Sequence, residues 1–144
     1  MKKLIYLITL FFSVASYSQI EFIETAKVDI VGHVEFVYLE KVGDDTYNLF
    51  YKNINATTIN EYVFFSFKNM DNDVEKLHQI IIKGFENPPR SRFQIKANGN
   101  IVYLKYLRED GEIKMKIQQY VSREPDVLTE SKLLTLDEIN KLFN

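Results

Sequence analysis

Two histidines, His33 and His78, are the side chains whose ordinary pKa lies near neutrality, so acid–base or metal chemistry would start from them. Neither has a ligand residue four positions on, where a helix would present a second metal donor. The stretch Asp71-Asn72-Asp73-Val74-Glu75 opens like a calcium loop, with acidic residues at alternate positions. Such a loop needs glycine sixth and glutamate twelfth, and Lys76 and Ile82 stand there instead. These acids fit the start of a helix, where carboxylates meet the positive end of its dipole. Paired carboxylates for general acid–base work would have to come from Glu109, Asp110 and Glu112, or from Asp44 and Asp45. A working general acid needs burial or a charged neighbour, and the hairpin tips expected at those positions supply neither. Cysteine is absent, which removes thiolate nucleophiles, thiolate metal sites and disulfides. No G-x-S-x-G elbow occurs, and the five glycines are too scattered to cradle a phosphate. No catalytic residue, metal ligand or cofactor site is therefore assigned, and a familiar enzyme is not expected.

Binding chemistry has two stronger leads. The stretch "PPRSRFQIK" puts Arg90 and Arg92 in a loop entering a strand, with Lys83 nearby, and a guanidinium fork suits a carboxylate or phosphate. The second lead is aromatic. In "EYVFFSFK" the side chains of Tyr62 and Phe64 must project opposite to those of Val63, Phe65 and Phe67, so both faces of this strand are greasy. Tyr38, Tyr47, Tyr51, Tyr103 and Tyr106 lie on strands expected to join the same sheet. A tyrosine-rich open face offers large contact area with a hydrogen-bonding tip, suited to a protein or glycan partner. Tyr62, Phe64, Tyr103, Tyr106, Arg90 and Arg92 are the candidate binding residues.

The elements that must position these side chains are mostly strands. "IKMKIQQYV" alternates strictly, with Ile113, Met115, Ile117, Gln119 and Val121 on one face. Asp110-Gly111 and Asn98-Gly99 are hairpin turns that join it to "IVYLKYL" and "RFQIKA", giving a meander over residues 92–121. "HVEFVYLEKV", "TYNLFYKN" and "EYVFFSFK" read as three earlier strands, and Phe22 to Val31 as a further edge strand. Val74, Leu77, Ile80 and Ile81 recur at helical spacing, with Asp71 or Asn72 as cap and Gly84 as terminator. Thr135 and Glu138 form a capping box, stapled by Leu134 and Ile139, for a last helix. The expected class is α+β: an antiparallel sheet of about six strands in βββα-βββα order, with the helices packed on one face.

Export is written at the start of the chain. Lys2 and Lys3 precede an apolar run from Leu4 to Ala15, too short for the ~20 residues that span a bilayer. Ser16-Tyr17-Ser18 follows with small residues two apart, completing the three parts of a secretory signal peptide. Cleavage is expected after Ser18, and that exit before Gln19 resembles those of signal peptides from the Bacteroidetes group of bacteria. Residues 19–144 then form a single soluble domain, periplasmic or secreted, with no membrane span and, lacking cysteine, no lipid anchor. The leader holds two of the 18 basic residues and none of the 20 acidic ones, leaving 16 against 20 and a net charge of −4. An acidic balance disfavours nucleic acid as a partner. The expectation is thus an exported non-catalytic binding or protein-interaction module. The alternative is a small hydrolase whose site is assembled from distant residues, with His33 or His78 beside a carboxylate.

Overall fold

The computed structural model describes residues 25–57, 61–120 and 127–144. The expected leader lies outside them, as do Phe22 and Val121. Among the described residues, eight strands and two helices follow in the order β1 (Val28–Val34), β2 (Val37–Val42), β3 (Thr46–Lys52), β4 (Tyr62–Lys68), α1 (Asp73–Glu86), β5 (Phe93–Ala97), β6 (Asn100–Glu109), β7 (Glu112–Tyr120), β8 (Leu128–Glu130) and α2 (Leu136–Phe143). The class is α+β, but the single six-stranded sheet expected from sequence is replaced by two antiparallel four-stranded meanders, β1-β2-β3-β4 and β5-β6-β7-β8. The order is therefore ββββα-ββββα. Among the described residues no helix is long and apolar enough to cross a membrane.

Two elements account for the difference. "HVEFVYLEKV" is a hairpin rather than one strand, because the chain turns at Glu35-Phe36 and pairs Val34 with Val37. Phe36 takes a positive φ of 63°, which a phenylalanine rarely adopts, so the sequence carried no glycine or asparagine to mark the turn. Of the Phe22–Val31 stretch, residues 28–31 form the start of β1, an edge strand, and residues 25–27 precede it. β8 is only three residues long, below the length at which alternation can be read. By contrast, Asn98-Gly99 and Asp110-Gly111 both adopt the paired positive φ values of a tight hairpin turn.

The helices cross over. α2, which follows the second sheet, packs on β1 and β2 of the first; α1, which follows the first sheet, packs on β6 and β7 of the second. Each docking relies on a missing side chain. A Cβ on Gly32 would run into the Leu142 backbone, and one on Gly84 would run into the Tyr106 ring. Gly84 is thus a packing position inside α1, which continues to Glu86, and not the terminator its residue type suggested. Asn72 holds the N-cap position, as expected, but makes no side-chain cap bond, and Asn69 Oδ1 accepts from the Val74 amide instead. The Thr135–Glu138 capping box forms as expected. Leu39, Leu49, Phe65, Val102, Leu104, Met115 and Ile117 from the inner sheet faces join Ile81, Ile139 and Leu142 from the helices in one core.

Polar groups fasten one junction between the sheets. The Tyr51 hydroxyl donates to Gln119 Oε1 at 3.0 Å and lies 2.8 Å from the Thr129 hydroxyl, all three buried. Beside it, the Ile54 amide donates to the Glu130 carbonyl, and Asn53 Oδ1 accepts from the Glu130 amide. Burial pushes the Tyr51 phenol up to about 12, so its proton stays in place. At the other junction β4 and β5 are both terminal strands, and no ladder joins them.

Candidate functional site

Period-two alternation turns Leu49, Tyr51, Phe65 and Phe67 inward and leaves their neighbours on the outer face of the first sheet. Cross-strand register then brings Tyr38, Phe50 and Phe64 opposite one another on β2, β3 and β4. Their rings stack in sequence, with centroids 4.6 Å apart for Tyr38–Phe50 and 4.8 Å for Phe50–Phe64. Tyr62 tilts against Tyr38 at 6.0 Å. Phe36 lies exposed at the β1–β2 turn, with the Lys52 ammonium 4.7 Å over its ring. Phe64 is 51% exposed and Tyr62 41%, so ring surface is open to solvent. A polar row flanks the rings: Asn48 donates to Glu40 at 2.9 Å and accepts from Ser66. Burial, followed by the Glu40 charge and Tyr62, raises the Tyr38 phenol above its ordinary value. Its hydroxyl therefore remains a hydrogen-bond donor across the physiological range.

Tyr103 and Tyr106 belong to the other sheet and face opposite ways. Tyr106 is buried, its hydroxyl donating to the Ile81 carbonyl at 2.8 Å under α1, so it sits in the core and on no open face. Tyr103 lies on the outer face, where the Arg92 guanidinium stacks 3.6 Å above its ring and Tyr120 meets it edge-on. Arg92 also donates to Gln118 at 3.2 Å. Arg90 is exposed and lines, together with Arg92, Lys105, Gln118 and Glu130, an open recess of about 480 Å³. Burial opposes the ionised form of Glu130, but hydrogen bonds from Lys116 and Gln118 outweigh it and hold the carboxyl below its ordinary value. The six candidate residues therefore divide between the two sheets and the core.

A cleft of about 430 Å³ opens where β4 and β5 diverge beside α1. Phe65, Phe67, Leu77, Ile80, Ile95 and Ala97 form its apolar lining, and Lys68, Lys76, Lys96 and Asp73 stand at its rim. Sequence reasoning gave no hint of it, since its walls come from three elements that only the fold brings together.

The histidines separate as well. His78 stacks on Phe143 at 4.7 Å and shares a 3.1 Å hydrogen bond with Asn140, tying α1 to α2. His33 is exposed on β1 opposite Tyr38. Among the described residues no three histidine or carboxylate side chains gather as a metal site would require.

Fold and surface together define an α+β protein of two crossed sheet–helix halves with an exposed aromatic ladder. Comparison of the chain with protein-family models, with curated proteins and with solved structures returned no match.

Phe36 and Phe50 escaped the sequence reading. Phe50 was accessible in principle, because alternation through "TYNLFYK" sets it opposite to Tyr47 and Tyr51. Phe36 was hidden by the unmarked turn.

Proposed function

We propose that this chain is an exported, non-catalytic protein-interaction module that docks its partner on the outer face of the first sheet. The observation that carries the reading is the Tyr38–Phe50–Phe64 stack with Tyr62 and Phe36 around it, in which Phe64, Tyr62 and Phe36 are exposed, Tyr38 and Phe50 are half-buried, and polar groups frame the rings. Large exposed apolar patches on a sheet mark contact surfaces, and an aromatic centre with a polar rim is the usual anatomy of a protein interface. Ring orientation favours protein over glycan. Sugars stack on ring faces, but in this ladder the faces between Tyr38 and Phe50 and between Phe50 and Phe64 are turned toward one another, leaving ring edges and the outward face of Phe64 on the terminal strand β4. Edges suit the T-shaped approach of another aromatic ring and close packing of aliphatic side chains. For the hydrolase alternative, His78 supplies nothing, since its partners are an amide and a phenyl ring.

The test is affinity capture from the exported proteins of the producing cell, with wild type compared against Tyr62→Ser/Phe64→Ser. Both positions are exposed, so the double variant loses less than about 1.5 kcal/mol of stability, mostly from the broken stack. A partner retained by wild type and lost by the folded variant is the expected result. Equal retention by both proteins, or no retained partner, contradicts the reading. Export is tested separately by the intact mass of the protein recovered outside the cytoplasm. The reading requires loss of residues 1–18, and an uncleaved chain would remove that part of it.

A further inference from the structure

The cleft between β4 and β5 takes Phe65 and Phe67 from the inner face of β4, and Lys68, which alternation sets on the same face as Tyr62 and Phe64, stands at its rim where the strand ends. The floor of its apolar lining is buried, formed by Phe65, Phe67, Ala97 and Leu77 of α1, while Ile80 and Met70 are exposed at its edge. Its volume of about 430 Å³ falls in the range of small-molecule pockets, about 300–1,000 Å³. The rim is basic although the chain as a whole carries a net charge of −2. Lys76 is already neutralised, by Asp71 at 2.8 Å and Asp73 at 3.4 Å. Lys68 and Lys96 are exposed, and neither forms an ion pair among the described residues. An apolar floor under two unengaged cations is complementary to a ligand with an apolar chain and an anionic head.

We propose that this cleft binds a single-chain amphiphile bearing a carboxylate, with the chain against Phe67, Leu77 and Ile95 and the head group between Lys68 and Lys96. Both ends of such a ligand are matched, since the chain leaves water and the head keeps charge-assisted hydrogen bonds. Met70 and Ile80 stand exposed at the edge of the cleft, so a bilayer surface is the competing occupant, and the vesicle arm of the test separates it from a single amphiphile. This site is independent of the proposed protein-docking face.

The test uses decanoate, decanol and decyltrimethylammonium, each below its micelle concentration, with amide chemical shifts of the purified chain as readout. Decanoate is expected to shift residues of the cleft around Leu77, Ile80, Ile95 and Ala97, and to bind about tenfold more tightly than decanol. Decyltrimethylammonium is expected to bind more weakly than either. In Lys68→Glu/Lys96→Glu the preference between the two charged amphiphiles should reverse. Tyr62→Ser/Phe64→Ser should leave decanoate binding unchanged, which separates failure here from failure at the docking face. The proposal is overturned if decanoate leaves the cleft unshifted, if the three head groups bind alike, or if anionic vesicles bind and monomeric decanoate does not. Should the charge-reversed variant misfold, the comparison of head groups on wild type still decides.

Discussion

Tyr51 shows why residue type alone misplaced several tyrosines. Tyrosine has an apolar ring and a polar tip, so it serves equally on an open face and in a core that offers its hydroxyl a partner. Which of these holds was decided by Gln119 and Thr129, distant in sequence, and for Tyr106 by the Ile81 carbonyl. Tyr51→Phe removes one of the polar links between the sheets and leaves Gln119 Oε1 without that partner. The expected cost is about 1–3 kcal/mol in urea unfolding, with secondary structure retained. Acid sensitivity belongs to this scale too. Burial opposes ionisation of Glu130 and Glu138, but hydrogen bonds and nearby lysines outweigh it and hold both carboxyls below their ordinary value. The folded state therefore binds these protons less readily than the unfolded chain. The resulting stability is complete above the unfolded carboxylate range and is lost as pH falls through the lowered folded values. Unfolding midpoints measured from about pH 6 to about pH 3 should fall on the acid side, and less steeply in Glu138→Gln, whose capping group no longer titrates.

Elements with local chemistry were legible, and those fixed by distant packing were not. Asn98-Gly99, Asp110-Gly111 and the Thr135–Glu138 box each contain the residues their geometry needs, within a few positions. The β1–β2 turn contains none of them, and Gly84 carried a misleading signal because a glycine late in a helix usually marks its end. In the fold it is the contact point of α1 on β6. Gly84→Ala is helix-favouring by intrinsic propensity, worth about 1 kcal/mol in an exposed helix. Here the added methyl meets a Tyr106 ring held between Phe85 and Phe93 and tethered through its hydroxyl. Net destabilisation of about 1–3 kcal/mol is expected on chemical denaturation. A stabilised variant would contradict this account of how the crossed helices dock.

At the scale of the whole molecule, the unusual strand is β4, whose two faces are both apolar. One face supplies Phe65 and Phe67 to the core and the cleft; the other supplies Phe64 and Tyr62 to the ladder. A sheet covered on one side by helices has no structural use for a second greasy face, and contact with a partner gives it one. The sequence made both faces visible through alternation, but not their neighbours, because strand pairing and the division into two sheets depend on contacts between distant segments. Site-specific photo-crosslinking tests the docking claim most directly: p-benzoylphenylalanine replaces Phe64 in one protein and Gln94, on the outer face of the other sheet, in a second. The account predicts a discrete adduct with another protein on irradiating cells that carry the label at position 64, and none from position 94. No adduct at position 64, or the same adducts from both positions, would contradict it.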